Sequence, residues 1–146
     1  MNFDIDHVSI QTNNFEKALY FYNNVLGFTI IKEPFSFKSR KLCLLKAGQI
    51  QIELYSAKSN HPNLVNYKNN RGGLDHIAFC VSDIFEAIDY FKLNGIKIIK
   101  EPFLPETNDK FQPLVSFIEG PDKQEIEIRE NKNNFYNKNT ISENLQ

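Results

Sequence analysis

The chain has 146 residues, enough for one domain with a substantial core or for two half-size modules that share one. Hydrophobic residues make up 41% and charged residues 24%, a composition that excludes a disordered or membrane-spanning chain. The formal charge of −1 and the isoelectric point near 6.3 exclude a strongly basic surface for nucleic acid or an anionic membrane, so we expect a small-molecule partner.

The start of the chain and its two cysteines indicate a cytoplasmic protein. Met1 is followed almost at once by a strand-like run, residues 3–11, without the basic, apolar and small-residue regions of an export signal. No apolar stretch approaches the roughly 20 residues that a membrane helix needs. Cys43 and Cys80 stand singly within apolar strand patterns, so we expect two buried, reduced thiols.

A weak internal duplication, at an offset of about 70 residues, predicts the architecture. Residues 6–10 (DHVSI) align with residues 75–79 (DHIAF), and a helical pattern that ends at a glycine follows in each copy. Capping boxes are predicted at the two helix starts, from Asn13 with Glu16 and from Asp83 with Glu86. After each helix the apolar period becomes that of strands, predicted near 28–35, 39–46 and 49–56, and near 96–101, 112–118 and 124–130.

These elements predict an α+β fold of two βαβββ modules. Pairing the modules would bury their apolar sheet faces and close a cup between the sheets. We predict a single domain over residues 1–130, with module one at 3–57, a polar connector at 58–73 and module two at 74–130. The tail, residues 131–146, is rich in Asn, Lys, Ser and Thr and is predicted to be disordered.

Strand alternation selects four side chains that face away from the helices, because the apolar residues beside them are expected to face the helices. They are His7 and Glu53 in module one and His76 and Glu127 in module two. Each module thus supplies one His from its first strand and one Glu from its last strand. We predict that the four side chains converge inside the cup.

Two imidazoles and two carboxylates form a mixed nitrogen and oxygen ligand set for one divalent cation. This set suits Ni, Zn, Co, Mn or Fe, and the sequence does not choose among them. Two carboxylates would balance a 2+ ion, whereas without it two like charges would meet in a pocket. The sequence therefore predicts one divalent metal ion per site.

The motifs around these positions resemble those of the glyoxalase I and vicinal-oxygen-chelate superfamily. The resemblance covers residues 5–130 and is carried by the four positions, the two Asp-His openings, and residues 18–22 (ALYFY), 25–28 (VLGF), 120–122 (GPD) and 124–127 (QEIE). It implies a fold of the glyoxalase/bleomycin-resistance/dioxygenase type and a homodimer or fused pair of modules.

The resemblance also implies His7, Glu53, His76 and Glu127 as metal ligands, with Glu127 or Glu53 as the catalytic base. The implied activity is that of a lactoylglutathione lyase-like enzyme. A carboxylate removes a proton next to a metal-chelated carbonyl, and the metal stabilises the enediolate. The hemithioacetal of methylglyoxal would thereby become a thioester of lactate.

Two positions depart from the glutathione-dependent bacterial members of this family. Those members tend to carry an Arg four residues after the first His and an Asn four residues after the first Glu. This chain has Gln11 and Ala57 there. Without the arginine, glutathione loses a charge-assisted contact, so another thiol, or none, stays open.

Two alternative functions are left open by the sequence. Residues 62–70 and 73–79 also resemble methylmalonyl-CoA epimerase, although residues 37–41, where that enzyme has a second carboxylate, contain no acid. The high Phe content is compatible with a protein of the bleomycin-resistance type that sequesters a small molecule. Lys38, Arg40 and Lys41 either attract a phosphate or carboxylate or form a solvated basic strand.

Overall fold

The computed structural model describes residues 1, 4–57, 74–105 and 113–131. The chain divides into two compact units, Met1–Gly72 and Gly73–Gln146. The described elements confirm the predicted α+β fold of two βαβββ modules. The predicted connector, 58–73, and the predicted disordered tail beyond residue 131 lie outside the described residues.

In its described residues, the first unit has four strands, one α-helix and one π-helical segment. Its elements in chain order are β1 (His7–Thr12), α1 (Phe15–Tyr20), a π-helical segment (Phe21–Val25), β2 (Thr29–Phe37), β3 (Arg40–Ala47) and β4 (Ile50–Ser56). The strands form one sheet in the order β1-β4-β3-β2. β1 runs parallel to β4, and the other two pairs are antiparallel.

The second unit repeats this topology without the π-helical segment. Its elements are β5 (Ile77–Val81), α2 (Ile84–Leu93), β6 (Ile98–Phe103), β7 (Val115–Glu119) and β8 (Glu125–Glu130). The sheet order is β5-β8-β7-β6, again with the first and last strands parallel. Because β5 begins at Ile77, His76 lies one residue before the strand rather than within it.

The two helix starts agree only in part with the predicted capping boxes. Asp83 caps α2 as predicted, since its carboxylate accepts hydrogen bonds from the backbone N–H groups of Phe85 and Glu86. In the first unit the prediction of Asn13 as the cap is wrong by one residue. Asn14 has the extended backbone of a cap, and its side chain accepts from the N–H of Lys17.

One face of each sheet packs against the helix of its own unit. α1 packs on β4, where Ile52 and Leu54 are buried, and α2 packs on β8, where Ile126 and Ile128 are buried. The helices contribute the buried Ala18 in the first unit and Ile84 and Ile88 in the second. These apolar contacts fix the register of β4 and β8, so the residues of opposite parity point to the other face.

Cys43 and Cys80 differ in exposure, so the prediction of two buried thiols is wrong for one of them. Cys43 is buried on the helix face of β3, whereas Cys80 is exposed on β5. Burial, with a smaller contribution from the charge of Glu33, raises the pKa of the Cys43 thiol to about 11. Among the residues described, no helix is long and apolar enough to span a membrane.

Candidate metal and substrate site

In the first unit, β1 and β4 bring His7 and Glu53 together on the sheet face opposite α1. Parallel pairing aligns Ser9 with Glu53, which places His7 two residues away along β1. Nε2 of His7 lies 3.5 Å from Oε2 of Glu53, and the Ser9 hydroxyl donates to the same oxygen at 3.1 Å. On the other side of the ring, Nδ1 of His7 lies 2.8 Å from the Asp6 carboxylate.

The second unit contains the equivalent pair, at closer range. Nε2 of His76 lies 2.7 Å from Oε2 of Glu127, and Nδ1 lies 2.6 Å from the carboxylate of Asp75. Arg129 donates from Nη1 to the other oxygen of Glu127 at 3.0 Å. Only 9% of the Glu127 side chain is exposed, so these two partners compensate a nearly buried charge. The Phe117 ring packs edge-on against His76.

The carboxylates around each imidazole favour its protonated form. The pKa of His7 is raised above its ordinary 6.5, first by the hydrogen bond with Asp6 and then by the charge of Glu53. The pKa of His76 is also raised, first by the hydrogen bond with Asp75 and then by Glu127, against the opposing effect of desolvation. Both rings therefore bind a proton more tightly than a free imidazole does.

Each His–Glu pair offers donors of the kind that bind a divalent metal ion. In both units an Asp carboxylate contacts Nδ1 and a Glu oxygen lies beside Nε2, and ligand histidines typically have such an outer carboxylate. The structure thus brings the predicted ligands together as two His–Glu pairs, one in each unit. Over the described ranges, no group of three or more His, Cys, Asp or Glu side chains is arranged to hold a metal.

Three polar residues beside the glutamates were missed by the sequence reasoning. Ser9 and Tyr55 both hydrogen-bond Glu53, and Arg129 bonds Glu127. Each has the strand parity of the predicted ligands, so the alternation of side chains along β1, β4 and β8 also places these three polar residues on that face. Asp6 and Asp75 were predicted only as part of the repeated Asp-His motif, whereas their carboxylates contact Nδ1 of the two imidazoles.

The predicted basic stretch separates into three different environments. Lys38 lies in the turn after β2, where it is exposed. Lys41 forms an ion pair with Glu16 of α1 at 2.7 Å. Arg40 is half-buried on the same face as Glu53 and donates to the Ser56 carbonyl and to the Gln11 side chain. Neither a uniform basic rim nor a solvated basic strand describes these residues.

The chain is similar to known proteins over most of its length. The family model described as the Glyoxalase/Bleomycin resistance protein/Dioxygenase superfamily matches residues 4–128. The uncharacterized protein YwkD of Bacillus subtilis is 30% identical, with 86% of this chain and 95% of that protein covered. A probable lactoylglutathione lyase of Synechocystis is 25% identical, covering 84% and 91%. Bovine mitochondrial methylmalonyl-CoA epimerase is 27% identical, covering 66% of this chain and 57% of the epimerase.

Solved structures show the same fold. The glyoxalase family protein from Enterococcus faecalis superposes with a TM-score of 0.73 at 25% identity, covering 86% of this chain and 96% of that one. The structure of SMU.1112c has the same TM-score at 23% identity, covering 86% and 97%. The likeness therefore extends over both units of the chain.

Proposed function

Because the chain belongs to the Glyoxalase/Bleomycin resistance protein/Dioxygenase superfamily, we propose that it is a metal-dependent lyase of the glyoxalase I kind. Its substrate in this proposal is a hemithioacetal of methylglyoxal or of a related 2-oxoaldehyde. The observation that carries the proposal is the His–Glu pair, repeated in both units with an Asp behind each imidazole. Similarity to a probable lactoylglutathione lyase supports it.

In this proposal His7, Glu53, His76 and Glu127 together hold one divalent ion, whether Ni, Zn, Co, Mn or Fe. When bound, the ion would polarise a substrate carbonyl and stabilise the negative charge that develops when the neighbouring C–H is deprotonated. Asp6 and Asp75 would hold the proton of each neutral imidazole on Nδ1, so that Nε2 faces the ion.

The proton transfer is assigned to a glutamate, Glu127 or Glu53. The base removes the proton from the carbon that carries the sulfur and the hydroxyl, and a proton is returned to the former ketone carbon. The product is a thioester of a 2-hydroxy acid. Glu127 is more enclosed than Glu53, whose side chain is 20% exposed, so the two carboxylates are not equivalent for this role.

A methylmalonyl-CoA epimerase-like activity is the second candidate, because the bovine epimerase is similar over 100 residues. That reaction also removes a proton next to a carbonyl, and it needs a base on each side of the carbon. Residues 37–41 contain no acid, and the resemblance to the epimerase implies the second base there. We therefore prefer the lyase.

A third candidate is a binding protein of another class, which sequesters a small molecule without turnover. The aromatic side chains near the His–Glu pairs, such as Tyr55 and Phe117, would suit it. The carboxylates would be costly in a purely apolar binding site, which favours the metalloenzyme. By family resemblance we propose a homodimer for any of the three, and we propose separately that the protein acts in the cytoplasm.

The decisive experiment is a substrate panel on protein of known metal content. Elemental analysis should find about one divalent ion per site, and methylglyoxal mixed with several thiols should be isomerised while methylmalonyl-CoA is not. Turnover of methylmalonyl-CoA alone would replace the lyase with the epimerase. Inertness towards both, with tight retention of a small molecule, would favour the binding protein.

Two glutamine variants of β8 distinguish the loss of a site residue from the general effect of removing a charge from the strand. Glu127→Gln should lower kcat by at least about 100-fold, the typical value of a general base. Glu125→Gln removes the same charge from an exposed residue of β8 and should leave kcat within about twofold. His76→Ala should abolish both metal binding and turnover. Equal losses in both glutamine variants would contradict the assignment of Glu127.

A further inference from the structure

Arg40 occupies an unusual position on the sheet face that carries His7 and Glu53. We infer that Arg40, with Gln11 and Tyr55, forms a subsite that binds a carboxylate of the substrate. The inference deepens the proposed function, on which it rests, by naming the substrate class as small molecules that carry an anionic group beside the reacting carbonyl.

The guanidinium is fixed in place by contacts that use only one of its edges. Arg40 extends from β3 across β4 towards β1, where Nη2 donates to Oε1 of Gln11 at 2.8 Å, while Nε donates to the Ser56 carbonyl at 2.7 Å. The planar guanidinium has five N–H donors. The edge formed by Nη1 and the second hydrogen of Nη2 has no hydrogen-bond partner in the described part of the chain. That edge has the spacing that a carboxylate accepts with both oxygens.

The charge of Arg40 is not neutralised by any described carboxylate. Its guanidinium carbon lies 4.4 Å from the centre of the Tyr55 ring, and Tyr55 packs in turn near Phe37. An aromatic face stabilises the cation and removes water from one side of it, but it leaves the full positive charge available to an anion. A half-buried guanidinium that has no carboxylate partner within the described ranges favours the binding of an anion.

Gln11 supplies a second donor beside the guanidinium. Its oxygen is used by Arg40, and its amide nitrogen is buried with no hydrogen-bond partner among the described residues. A buried N–H₂ group without an acceptor costs free energy, which an anion bound next to Arg40 would recover. Arg40 supplies the cation from β3, and the oxygen of Gln11 orients it.

The distance from the His–Glu pair sets the size of the substrate. Gln11 and Tyr55 lie two residues beyond Ser9 and Glu53 on β1 and β4, and the register pairs them directly. Two residues along a strand span about 7 Å. A small molecule can therefore present its carbonyl at His7 and Glu53 and its carboxylate at Arg40. This arrangement suits the hemithioacetal of a 2-oxoaldehyde with an acidic thiol, or a short oxo acid.

The test uses the purified full chain, labelled with ¹⁵N and titrated with succinate as a probe carboxylate. The side-chain Nε–H signal of Arg40 and the amide signal of Gln11 should shift and saturate, whereas the neutral diamide succinamide should leave them unchanged. Inorganic phosphate provides the third arm. Phosphate that saturates these signals at lower concentration than succinate would overturn the assignment to a carboxylate.

Two variants remove the same charge from adjacent residues of β3. Arg40→Gln should weaken succinate binding by about 10- to 100-fold, the range expected for a charge-assisted contact. Lys41→Gln, which removes the ion pair with Glu16 and the contact with the Phe15 ring, should leave it within about twofold. Equal weakening in both variants would indicate general charge attraction and contradict the subsite. Arg40→Lys keeps the charge but lacks the two adjacent N–H donors of the guanidinium, and should recover only part of the affinity.

The outcome does not depend on turnover, so failure of this inference and failure of the proposed function are distinguishable. Succinate binding at Arg40 in a protein that binds no metal would retain the subsite and contradict the lyase. Metal-dependent turnover that Arg40→Gln leaves unchanged for acidic and neutral hemithioacetals alike would retain the lyase and contradict the subsite. The expected result is a loss in kcat/KM confined to the acidic substrates.

Discussion

Each predicted ligand histidine lies between two carboxylates, and this environment links its protonation to folding. Asp75 and Glu127 contact the two nitrogens of His76 at 2.6 and 2.7 Å. In the unfolded chain the ring no longer contacts these carboxylates, and its pKa returns to about 6.5. Since the folded protein raises that pKa, protonated His76 stabilises the folded state.

The first prediction concerns the pH dependence of stability without metal. The stabilisation from His76 is fully present below about pH 6.5 and is lost as the pH rises through the raised pKa of the folded state. Metal-free wild-type protein should therefore become less stable over this window relative to His76→Gln. Urea unfolding of both proteins from about pH 5.5 to about pH 8 measures the difference. A difference that is independent of pH would contradict the prediction.

Metal affinity should change with pH in the direction opposite to the stability contribution of His76. A proton on Nε2 competes with the ion, so the affinity should increase with pH across the window in which the stability contribution of His76 disappears. Calorimetric titration with Zn²⁺ at several pH values checks this. An affinity that is constant with pH would show that the imidazoles do not bind the ion.

The two cysteines provide the second prediction. Cys43 is fully buried and its pKa is raised to about 11, whereas Cys80 is exposed. Because the thiolate is the reactive form, a thiol reagent at neutral pH should modify Cys80 readily and Cys43 only after unfolding. Peptide mass spectrometry after brief alkylation measures both sites. Cys80→Ser should remove the rapid phase, and a remaining rapid phase would contradict the burial of Cys43.

At the residue scale, strand parity predicted the pairing within each unit but not the surroundings. It correctly placed His7 beside Glu53, because apolar neighbours fix which way each strand faces. It could not indicate that Arg129 reaches Glu127 or that Cys80 is exposed, since parity gives the face of a side chain and not what covers it.

The two helix starts show that a capping signal in the sequence predicts a helix start but not the exact capping residue. A side-chain cap needs an extended residue whose oxygen reaches the N–H groups two and three positions later. Asp83 satisfies this as the sequence predicted, while in the first unit the cap is Asn14 and not Asn13. Adjacent Asn residues are chemically the same, so only the backbone conformation distinguishes them.

The third prediction is that the cap of α2 contributes measurably to stability. Asp83→Ala removes two hydrogen bonds to backbone N–H groups and a negative charge at the helix start, and should lower the free energy of unfolding by about 1 kcal/mol. Asp89→Ala, at an exposed position within the same helix, should change it by less than about 0.5 kcal/mol. Urea denaturation provides both values, and equal effects would contradict the role of the cap.

The ends of the helices were predicted less completely than their starts. Gly27 and Gly95 have positive φ angles of 72° and 70°, as expected of glycines that end helices. The last turn of the first helix is nevertheless π-helical, with the N–H of Leu26 bonded to the carbonyl of Phe21. The 3.6-residue pattern does not reveal this wider turn, because both geometries bury Tyr22 and Val25.

For the whole molecule, the duplication extends further than the aligned openings suggest. Lys-Glu-Pro-Phe occurs at 32–35 and again at 100–103, on the edge strands β2 and β6. In each copy the lysine lies over the phenylalanine ring, at 3.9 and 3.5 Å, and the ladder is irregular at the proline. The repeated sheet order was predictable from the sequence because each copy repeats the same order of periodic segments.

The last prediction follows from this duplication and concerns the number of ions. Each unit provides one imidazole nitrogen and one carboxylate beside it, fewer than the four or more ligands that a tightly bound transition-metal ion takes. If both pairs bind one ion jointly, His7→Gln in the first unit and His76→Gln in the second should each remove nearly all bound metal. If each pair bound its own ion, either variant would lose half the metal and keep the rest.

Elemental analysis of the wild type, the two single variants and the double variant distinguishes these cases. Joint binding predicts that the double variant loses no more metal than either single variant, because the first substitution already breaks the set. It also predicts that added metal stabilises the wild type by about 2.7 kcal/mol at a concentration 100 times the Kd, and neither single variant at that concentration. Half-occupied single variants that are still stabilised by metal would contradict a ligand set drawn from both units.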